Sequence, residues 1–147
     1  MSKGLELLSQ QLVDAEQRCA MALAKARQDL KLFMEQQEAL NHYREVYLQQ
    51  WTERGLQGEL NAQQNGHYHS FINKLQSAAQ QQYEGVLQVR QAVELRKQEW
   101  LAMQQRRKAV ELLLEKKAER ARQKADRQEQ KMLDEFAMRN YLNRSVL

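Results

Sequence analysis

The chain contains no proline, and three of its five glycines fall within the short stretch 55–66. A proline inside a helix costs about 3 kcal/mol and a glycine about 1 kcal/mol, so long helices can continue on both sides of this stretch. Those sides are rich in Gln, Glu, Lys, Arg, Leu and Ala, which favour helices. The sequence therefore predicts an all-α fold in which two long helices, joined once, fold back as an antiparallel coiled-coil hairpin.

The composition fits a single domain over residues 1–147 with a narrow hydrophobic seam. Hydrophobic residues make up 42% of the chain, which is enough for a seam between two helices but too little for a thick bundle. No apolar run approaches the roughly 18 residues of a membrane span, and the first residues lack the apolar stretch of a secretory signal. The single cysteine, Cys19, cannot form an internal disulfide, which fits a reducing cytoplasm. We therefore expect a cytoplasmic protein that is not inserted in a membrane.

The first helix is predicted over about residues 4–54, and the turn over about residues 55–66. The early apolar residues of the helix alternate in steps of three and four, as in a coiled-coil seam: Leu5, Leu8, Leu12, Ala15, Cys19, Ala22 and Ala26. The step falters at Asp29, which predicts a local change of register or of supercoil. It resumes with Phe33, Leu40, Tyr43 and Tyr47. Cys19 is interpreted as a small core residue.

The second helix is predicted over about residues 67–140. One position of its heptad is occupied by Ile72, Ala79, Val86, Val93, Trp100 and Leu114, and the other by Leu75, Val89, Met103 and Val110. Arg96, Arg107 and Lys117 interrupt this seam, so we expect the pairing to weaken towards the C-terminus. Gly85 lies inside the helix and predicts a close approach of the two helices.

The two predicted helices differ in length. About 50 residues at 1.5 Å per residue give roughly 75 Å, and about 73 residues give roughly 110 Å. The first helix would therefore end opposite a position near Arg120, and residues 121–147 would overhang it without a partner in the chain. This overhang carries apolar side chains at helical spacing: Met132, Leu133, Phe136, Ala137, Tyr141 and Leu142. An apolar stripe that nothing in the chain covers predicts an interface.

The net charge of +4 is concentrated before this stripe. Residues 106–131 contain ten Lys or Arg and five Asp or Glu, a balance of +5 that leaves the rest of the chain close to neutral. This stretch is either a solvated helix face or a binding surface for an acidic partner. It has no interleaved aromatic residues and no motif for reading nucleic acid, so we expect no nucleic-acid partner from its charge alone.

No group of residues predicts catalysis. The chain has no glycine-rich phosphate loop, no paired cysteines and no nucleophile–base set. His67 and His69 are two residues apart and would face different ways on a helix, and His42 stands alone, so no metal site is predicted. We expect a protein that is not an enzyme, holds no cofactor or metal, and acts through partners.

Two quartets of residues at helical spacing lie on either side of the turn. The first is Gln36, Leu40, Tyr43 and Tyr47, and the second is Phe71, Leu75, Ala78 and Gln82. A hairpin would bring both quartets to the same end of the molecule. They belong either to the seam or to a partner-binding patch, for which tyrosine is well suited because its body is apolar and its tip forms hydrogen bonds.

Three segments, in this order and spacing, resemble the family of the flagellar export protein FliJ. They are Tyr43-x-x-x-Tyr47, then Tyr68-His69-Ser70-Phe71-Ile72-Asn73-Lys74-Leu75, and Lys131-Met132-Leu133-Asp134-Glu135-Phe136-Ala137. The resemblance spans essentially the whole chain. It implies an antiparallel two-helix coiled coil similar to the gamma-subunit stalk of rotary ATPases, working in the bacterial flagellar type III export apparatus at the cytoplasmic face of the inner membrane.

The resemblance also implies the partners of the chain, which we expect to be monomeric alone. FliJ-like proteins bind the export ATPase FliI, which works with FliH, and promote assembly of its ring. They also contact the export-gate protein FlhA and escort flagellar export chaperones. The implied gate-binding residues are Gln36, Leu40, Tyr43, Tyr47, Phe71, Leu75, Ala78 and Gln82. The implied ATPase-binding residues, near the end where both termini meet, are Lys131, Met132, Leu133, Asp134, Glu135, Phe136 and Ala137.

Three other functions remain open from the sequence. The chain could be a homodimeric structural coiled coil, a basic rod that binds nucleic acid through residues 106–131, or the related stalk protein of a virulence-type injectisome. A hairpin that satisfies its own seam would sediment as a monomer, which separates it from the first alternative. Stimulation of an export ATPase would separate it from the second.

Overall fold

The computed structural model describes residues 2–146, and almost all of them are helical. Helix α1 spans Lys3–Leu56 and helix α2 spans Ala62–Val146, with no strand among the described residues. The two helices pack against each other, so the predicted all-α antiparallel hairpin is confirmed. The predicted domain begins at Met1 and ends, with its overhang, at Leu147, and these two residues lie outside the described ones.

The turn is shorter than the predicted stretch 55–66, because both helix ends are capped inside that stretch. At the end of α1, Gly58 adopts a φ of 70°, and the Glu59 amide donates a hydrogen bond to the Arg54 carbonyl oxygen at 3.1 Å. This is a Schellman cap, which favours glycine at the left-handed position. At the start of α2, the backbone N–H of Gln64 donates a hydrogen bond to Asn61 Oδ1 at 2.8 Å. In return, the backbone N–H of Asn61 donates one to Gln64 Oε1 at 3.2 Å. This reciprocal capping box starts α2 at Ala62 instead of near residue 67.

The contacts of the chain fall into two units. One unit comprises Met1–Glu16 and Ala102–Leu147, and the other comprises Gln17–Leu101. In each unit, a part of α1 packs against a part of α2. The expectation of a single domain therefore stays a prediction.

In the unit Gln17–Leu101, the seam of α1 follows one seven-residue repeat. Its buried and half-buried side chains include Cys19, Leu23, Ala26, Leu30, Phe33, Gln37, Leu40, Arg44, Tyr47, Trp51 and Arg54. The predicted change of register at Asp29 is therefore wrong: Leu30 occupies the next seam position and no step is lost. The sequence pattern was misleading because polar Gln37 and Arg44 occupy positions of this seam, whereas Tyr43 is 57% exposed and lies outside it.

The predicted register of α2 is confirmed by burial. Ile72, Ala79 and Val86 are buried in one unit and Val110 in the other, and Val86, at 1% exposure, is the most enclosed of them. These residues recur at the spacing of a two-helix seam. The structure also explains Gly85, because a Cβ atom at this position would lie 2.9 Å from Phe33 Cε2. The ring of Phe33 takes the space that a side chain would need.

Gly85→Leu is expected to lower the free energy of unfolding by about 2 kcal/mol, because a larger side chain would have to displace the Phe33 ring. Gly66→Leu is the matched control: Gly66 is also helical and has no atom within 4 Å of the added Cβ. That control should gain about 0.5–1 kcal/mol from helix propensity. Urea unfolding of both variants measures the difference, and equal effects at the two glycines would contradict the close approach.

In the unit formed by Met1–Glu16 and Ala102–Leu147, Arg107 occupies a seam position and forms ion pairs with carboxylates. Its guanidinium donates hydrogen bonds to Glu16 across the hairpin, and to both carboxylate oxygens of Glu111 at 3.0 Å. The hydrogen bond with Glu16, followed by that with Glu111, raises the pKa of Arg107 further above its usual value. The expected weakening of the seam is therefore wrong at Arg107, whose charge is balanced by carboxylates on both helices. Lys117 is exposed and does not interrupt a packed seam.

Candidate functional site

The two predicted gate-binding quartets meet in the unit Gln17–Leu101 through two contacts. Gln82 of α2 donates hydrogen bonds to the Phe33 carbonyl oxygen at 2.9 Å and to the Gln36 side-chain oxygen at 3.0 Å. The rings of Tyr47 and Phe71 lie edge to face, with centroids 4.7 Å apart and an interplanar angle of 67°. Edge-to-face packing is a favoured geometry for aromatic pairs. The fold therefore joins the two quartets into one surface.

Exposure divides the quartets into a seam and an accessible part. Leu40, Tyr47, Leu75, Ala78 and Gln82 are half-buried and contribute to the packing of the two helices. The exposed members are Gln36, Tyr43 and Phe71, and the last two are 57% and 42% exposed. The seam interpretation therefore applies to the half-buried members, and the partner-binding interpretation stays a prediction for the exposed ones. We call the exposed members together with Tyr47 the turn-proximal face.

Next to the turn-proximal face lies an aromatic cluster that was not predicted from the sequence. The Arg54 guanidinium donates a hydrogen bond to the Tyr68 hydroxyl at 3.0 Å and lies 5.7 Å from the centre of the Tyr68 ring. The hydrogen bond with Tyr68 raises the pKa of Arg54. Trp51 packs on His69, with ring centroids 5.9 Å apart, and donates a hydrogen bond to Asn65. The available signal was the helical spacing, since Trp51 follows Tyr47 by four residues.

A hollow of about 400 Å³ opens beside Tyr68 of this cluster. It is lined by Tyr47, Gln64, His67, Tyr68 and Phe71. Tyr47 and Phe71 belong to both the hollow and the turn-proximal face. The hollow therefore extends the turn-proximal face to residues outside the two quartets.

The predicted ATPase-binding segment 131–137 lies on an exposed part of α2. Every side chain from Glu115 to Ser145 is exposed, including Met132 at 69% and Phe136 at 64%. At about 100° per residue, Met132, Leu133, Phe136 and Ala137 share one side of the helix. Leu142 lies on a different side of the helix. The predicted stripe is therefore correct for Met132, Leu133, Phe136 and Ala137 but does not include Leu142.

Residues 2–146 show neither a metal centre nor a membrane span. No three of their His, Cys, Asp or Glu side chains are grouped so that they could hold a metal ion. Neither α1 nor α2 contains a stretch both long and apolar enough to cross a bilayer. Cys19 is a half-buried free thiol.

Comparison with known proteins gives one match. The family model described as the flagellar FliJ protein matches residues 1–145. No curated protein and no solved structure matches the chain. The family match includes both the turn-proximal face and the segment 131–137.

Proposed function

Since this chain belongs to the FliJ family and is thus a component of the flagellar export apparatus, we propose that it serves as a non-catalytic stalk between the export ATPase and the export gate. In this proposal the segment 131–137 binds the ATPase FliI and promotes assembly and activity of its ring. The turn-proximal face binds the gate protein FlhA. The family match to a flagellar protein favours this role over that of an injectisome stalk.

Support for the ATPase site comes from apolar side chains that have no cover within the described chain. Met132, Leu133 and Phe136 are 56–69% exposed on an uninterrupted helix. Burial of apolar surface is favourable by about 25 cal/mol per Å², and such side chains gain this only when a partner covers them. The preceding basic stretch would steer the helix towards an acidic entrance.

Support for the gate site comes from the aromatic character of the turn-proximal face. Tyr43 and Phe71 are exposed, whereas Tyr47 holds the Phe71 ring in place from the other helix. A positioned aromatic side chain loses little conformational freedom on binding, and aromatic anchors dominate many interfaces. Of the two quartets, these are the side chains best placed to act as anchors.

The proposal also covers the location of the chain, its oligomeric state and its further partners. It works in the cytoplasm, peripherally at the inner membrane through the export apparatus, with FliH as a companion of the ATPase. It is monomeric alone, because α1 and α2 satisfy each other's seam. It also escorts flagellar export chaperones.

The observation that carries this proposal is the family match over residues 1–145 together with an exposed apolar helix end. The test is the ATP hydrolysis rate of purified cognate FliI with and without this chain. We expect the chain to raise the rate and the fraction of FliI in hexamers. An unchanged rate and an unchanged oligomer distribution, at chain concentrations well above that of FliI, would refute the proposal.

A further inference from the structure

At the N-terminal end of α1, α2 continues beyond its partner helix. There the side of α2 that is buried in the hairpin continues as an exposed apolar side. Val110 is buried and Leu114 is half-buried in the unit that contains both chain ends. At about 100° per residue, the same side of α2 then carries Ala118, Ala121, Ala125, Met132 and Phe136. All five are exposed. We call these five residues the open seam.

A hollow marks the place where the open seam begins. It has a volume of about 580 Å³ and is lined by Ser2, Glu6, Leu114, Lys117, Ala118 and Ala121. Its walls thus come from Ser2, which precedes α1, from Glu6 in the first turn of α1, and from the side of α2 that α1 no longer covers. The hollow lies at the N-terminal end of α1.

The spacing of the open seam is that of a helix–helix contact. Leu114, Ala125 and Phe136 are eleven residues apart, as are Ala121 and Met132. Eleven residues make just over three turns of an α-helix, so this repeat keeps side chains on one side of a nearly straight helix. The pattern therefore continues from Leu114 to Phe136, about six turns, with the polar residue Gln128 at the step between Ala125 and Met132.

Charges of opposite sign flank the open seam from Lys117 to Lys131; beyond Lys131, Asp134 and Glu135 lie on the side of the basic flank. On one flank, five basic side chains follow one another in steps of three and four: Lys117, Arg120, Lys124, Arg127 and Lys131. On the other flank are Glu115, Glu119, Asp126 and Glu129. Arg122 also lies on this acidic flank, where it forms an ion pair with Glu119 at 2.6 Å. Between residues 2 and 146, none of the five side chains of the basic flank takes part in an ion pair.

This arrangement is unfavourable for an isolated helix. Each step of three or four residues along the basic flank places like charges next to each other, at a cost of a few tenths of a kcal/mol per pair. Exchanging some of these lysines with the glutamates of the other flank would remove the repulsion. An acidic surface of a partner, placed opposite the basic flank, would turn this unfavourable energy into a favourable one. The segregated charges therefore favour a partner whose flanks carry the opposite pattern.

A second copy of the chain does not fit this pattern. In an antiparallel pair of identical helices, like flanks lie side by side, so Lys124 and its neighbours would face another basic flank. In a parallel pair, α2 of the second copy would occupy the place where Ser2 and Glu6 of the first copy lie against Leu114 and Ala121. Charge opposes the first arrangement and space opposes the second.

We propose that the open seam binds an amphipathic helix of another protein, which lies in line with α1. Its apolar side would cover Ala121, Ala125 and Met132, and acidic side chains on one of its flanks would face Lys117, Lys124 and Lys131. Basic side chains on its other flank would face the acidic flank of α2. The segment Ala118–Ala125 and the acidic flank lie outside the sites proposed above, whereas Lys131, Met132 and Phe136 also belong to the proposed ATPase-binding segment. The inference rests on the open seam and its flanks and does not require the ATPase to be the partner.

Designed helical peptides test this proposal with the full chain. The segregated peptide has a leucine and alanine stripe with glutamates on one flank and lysines on the other. The mixed peptide has the same stripe and composition, with both charges alternating on each flank. We expect fluorescence anisotropy to give at least about tenfold tighter binding of the segregated peptide, because only its flanks match those of α2.

Variants locate the binding site. Lys117→Glu/Lys124→Glu/Lys131→Glu should abolish the preference for the segregated peptide and bind a peptide with lysines on both flanks more tightly than the parent chain does. Lys25→Glu/Lys31→Glu/Lys97→Glu changes the net charge equally at exposed positions of the other unit and should leave the preference unchanged. Ala125→Glu should weaken the segregated peptide at least about tenfold, since it places a charge in the apolar stripe. Circular dichroism checks that helicity is retained.

Three results would overturn the proposal: equal affinity for the segregated and mixed peptides, no binding of either, or equal effects of the two lysine triples. Tighter binding of a duplex oligonucleotide than of the segregated peptide, with a steep salt dependence, would assign the basic flank to nucleic acid. The assay contains no ATPase. A chain that prefers the segregated peptide but does not stimulate FliI would therefore keep this inference and refute the proposed function.

Discussion

Removal of residues 132–147 is expected to abolish stimulation of the export ATPase while leaving the hairpin folded. The described side chains in this segment are exposed, so their loss removes no packing from the seam. The same truncation removes Met132, Leu133 and Phe136, the apolar side chains proposed to bind the ring. ATP hydrolysis by FliI measures the first effect, and circular dichroism during thermal unfolding measures the second.

Single substitutions refine this prediction. Phe136→Ala should reproduce much of the loss, because a large apolar anchor in an interface contributes about 2 kcal/mol or more. Leu142→Ala is the matched control, since Leu142 is also exposed, at 53%, but lies away from the side that carries Phe136. Gate binding should survive the truncation because its residues belong to the other unit. Full ATPase stimulation by the truncated chain would show that the ATPase site is assigned to the wrong part of α2.

Phe71→Ala is expected to weaken binding to the export gate about 30-fold, which corresponds to 2 kcal/mol. Phe71 is 42% exposed, and its ring packs against Tyr47, so it offers a partner a positioned apolar surface. Tyr43→Ala should act similarly with less effect on stability, since Tyr43 is 57% exposed and lies outside the seam. Titration of the cytoplasmic part of FlhA against each variant gives the affinities.

Two references distinguish a binding defect from a folding defect. Leu95→Ala removes a side chain that is 55% exposed in the same unit but away from the turn, and it should leave gate affinity unchanged. Val86→Asp places a charge at the most enclosed position of the seam and should lower helicity and stability markedly. If Phe71→Ala loses as much helicity as Val86→Asp, Phe71 serves the fold and the turn-proximal face has lost its main anchor.

The surfaces differ in how far they could be predicted from the sequence. The exposed apolar end of α2 followed from helix lengths, because a rise of 1.5 Å per residue shows which residues remain uncovered. The turn-proximal face did not follow, because residues of both quartets had seam-like spacing. Only the packed structure separates exposed Tyr43 and Phe71 from half-buried Leu40 and Leu75. Trp51 and Tyr68 were missed because their roles depend on partners across the turn.

The sequence by itself determined the helical hairpin and the register of α2. Proline disrupts a helix wherever it stands in its interior, so its absence allows long helices whatever the tertiary structure. Ile72, Ala79 and Val86 recur at a spacing that places them on one side of a helix. The caps at Gly58 and Asn61 are also local signals, since each hydrogen bond there joins residues at most five apart. The predicted turn, residues 55–66, is nevertheless wider than the observed one.

Only the tertiary structure decided the register of α1 and the role of its polar seam residues. The pairing of Arg107 with Glu16 joins residues 91 positions apart, and nothing in either local sequence identifies the other. Gln82 likewise belongs to the seam because it reaches Phe33 and Gln36 on the opposite helix. A polar side chain is stable in a seam only when a partner satisfies it, and the position of that partner is a property of the packed pair of helices.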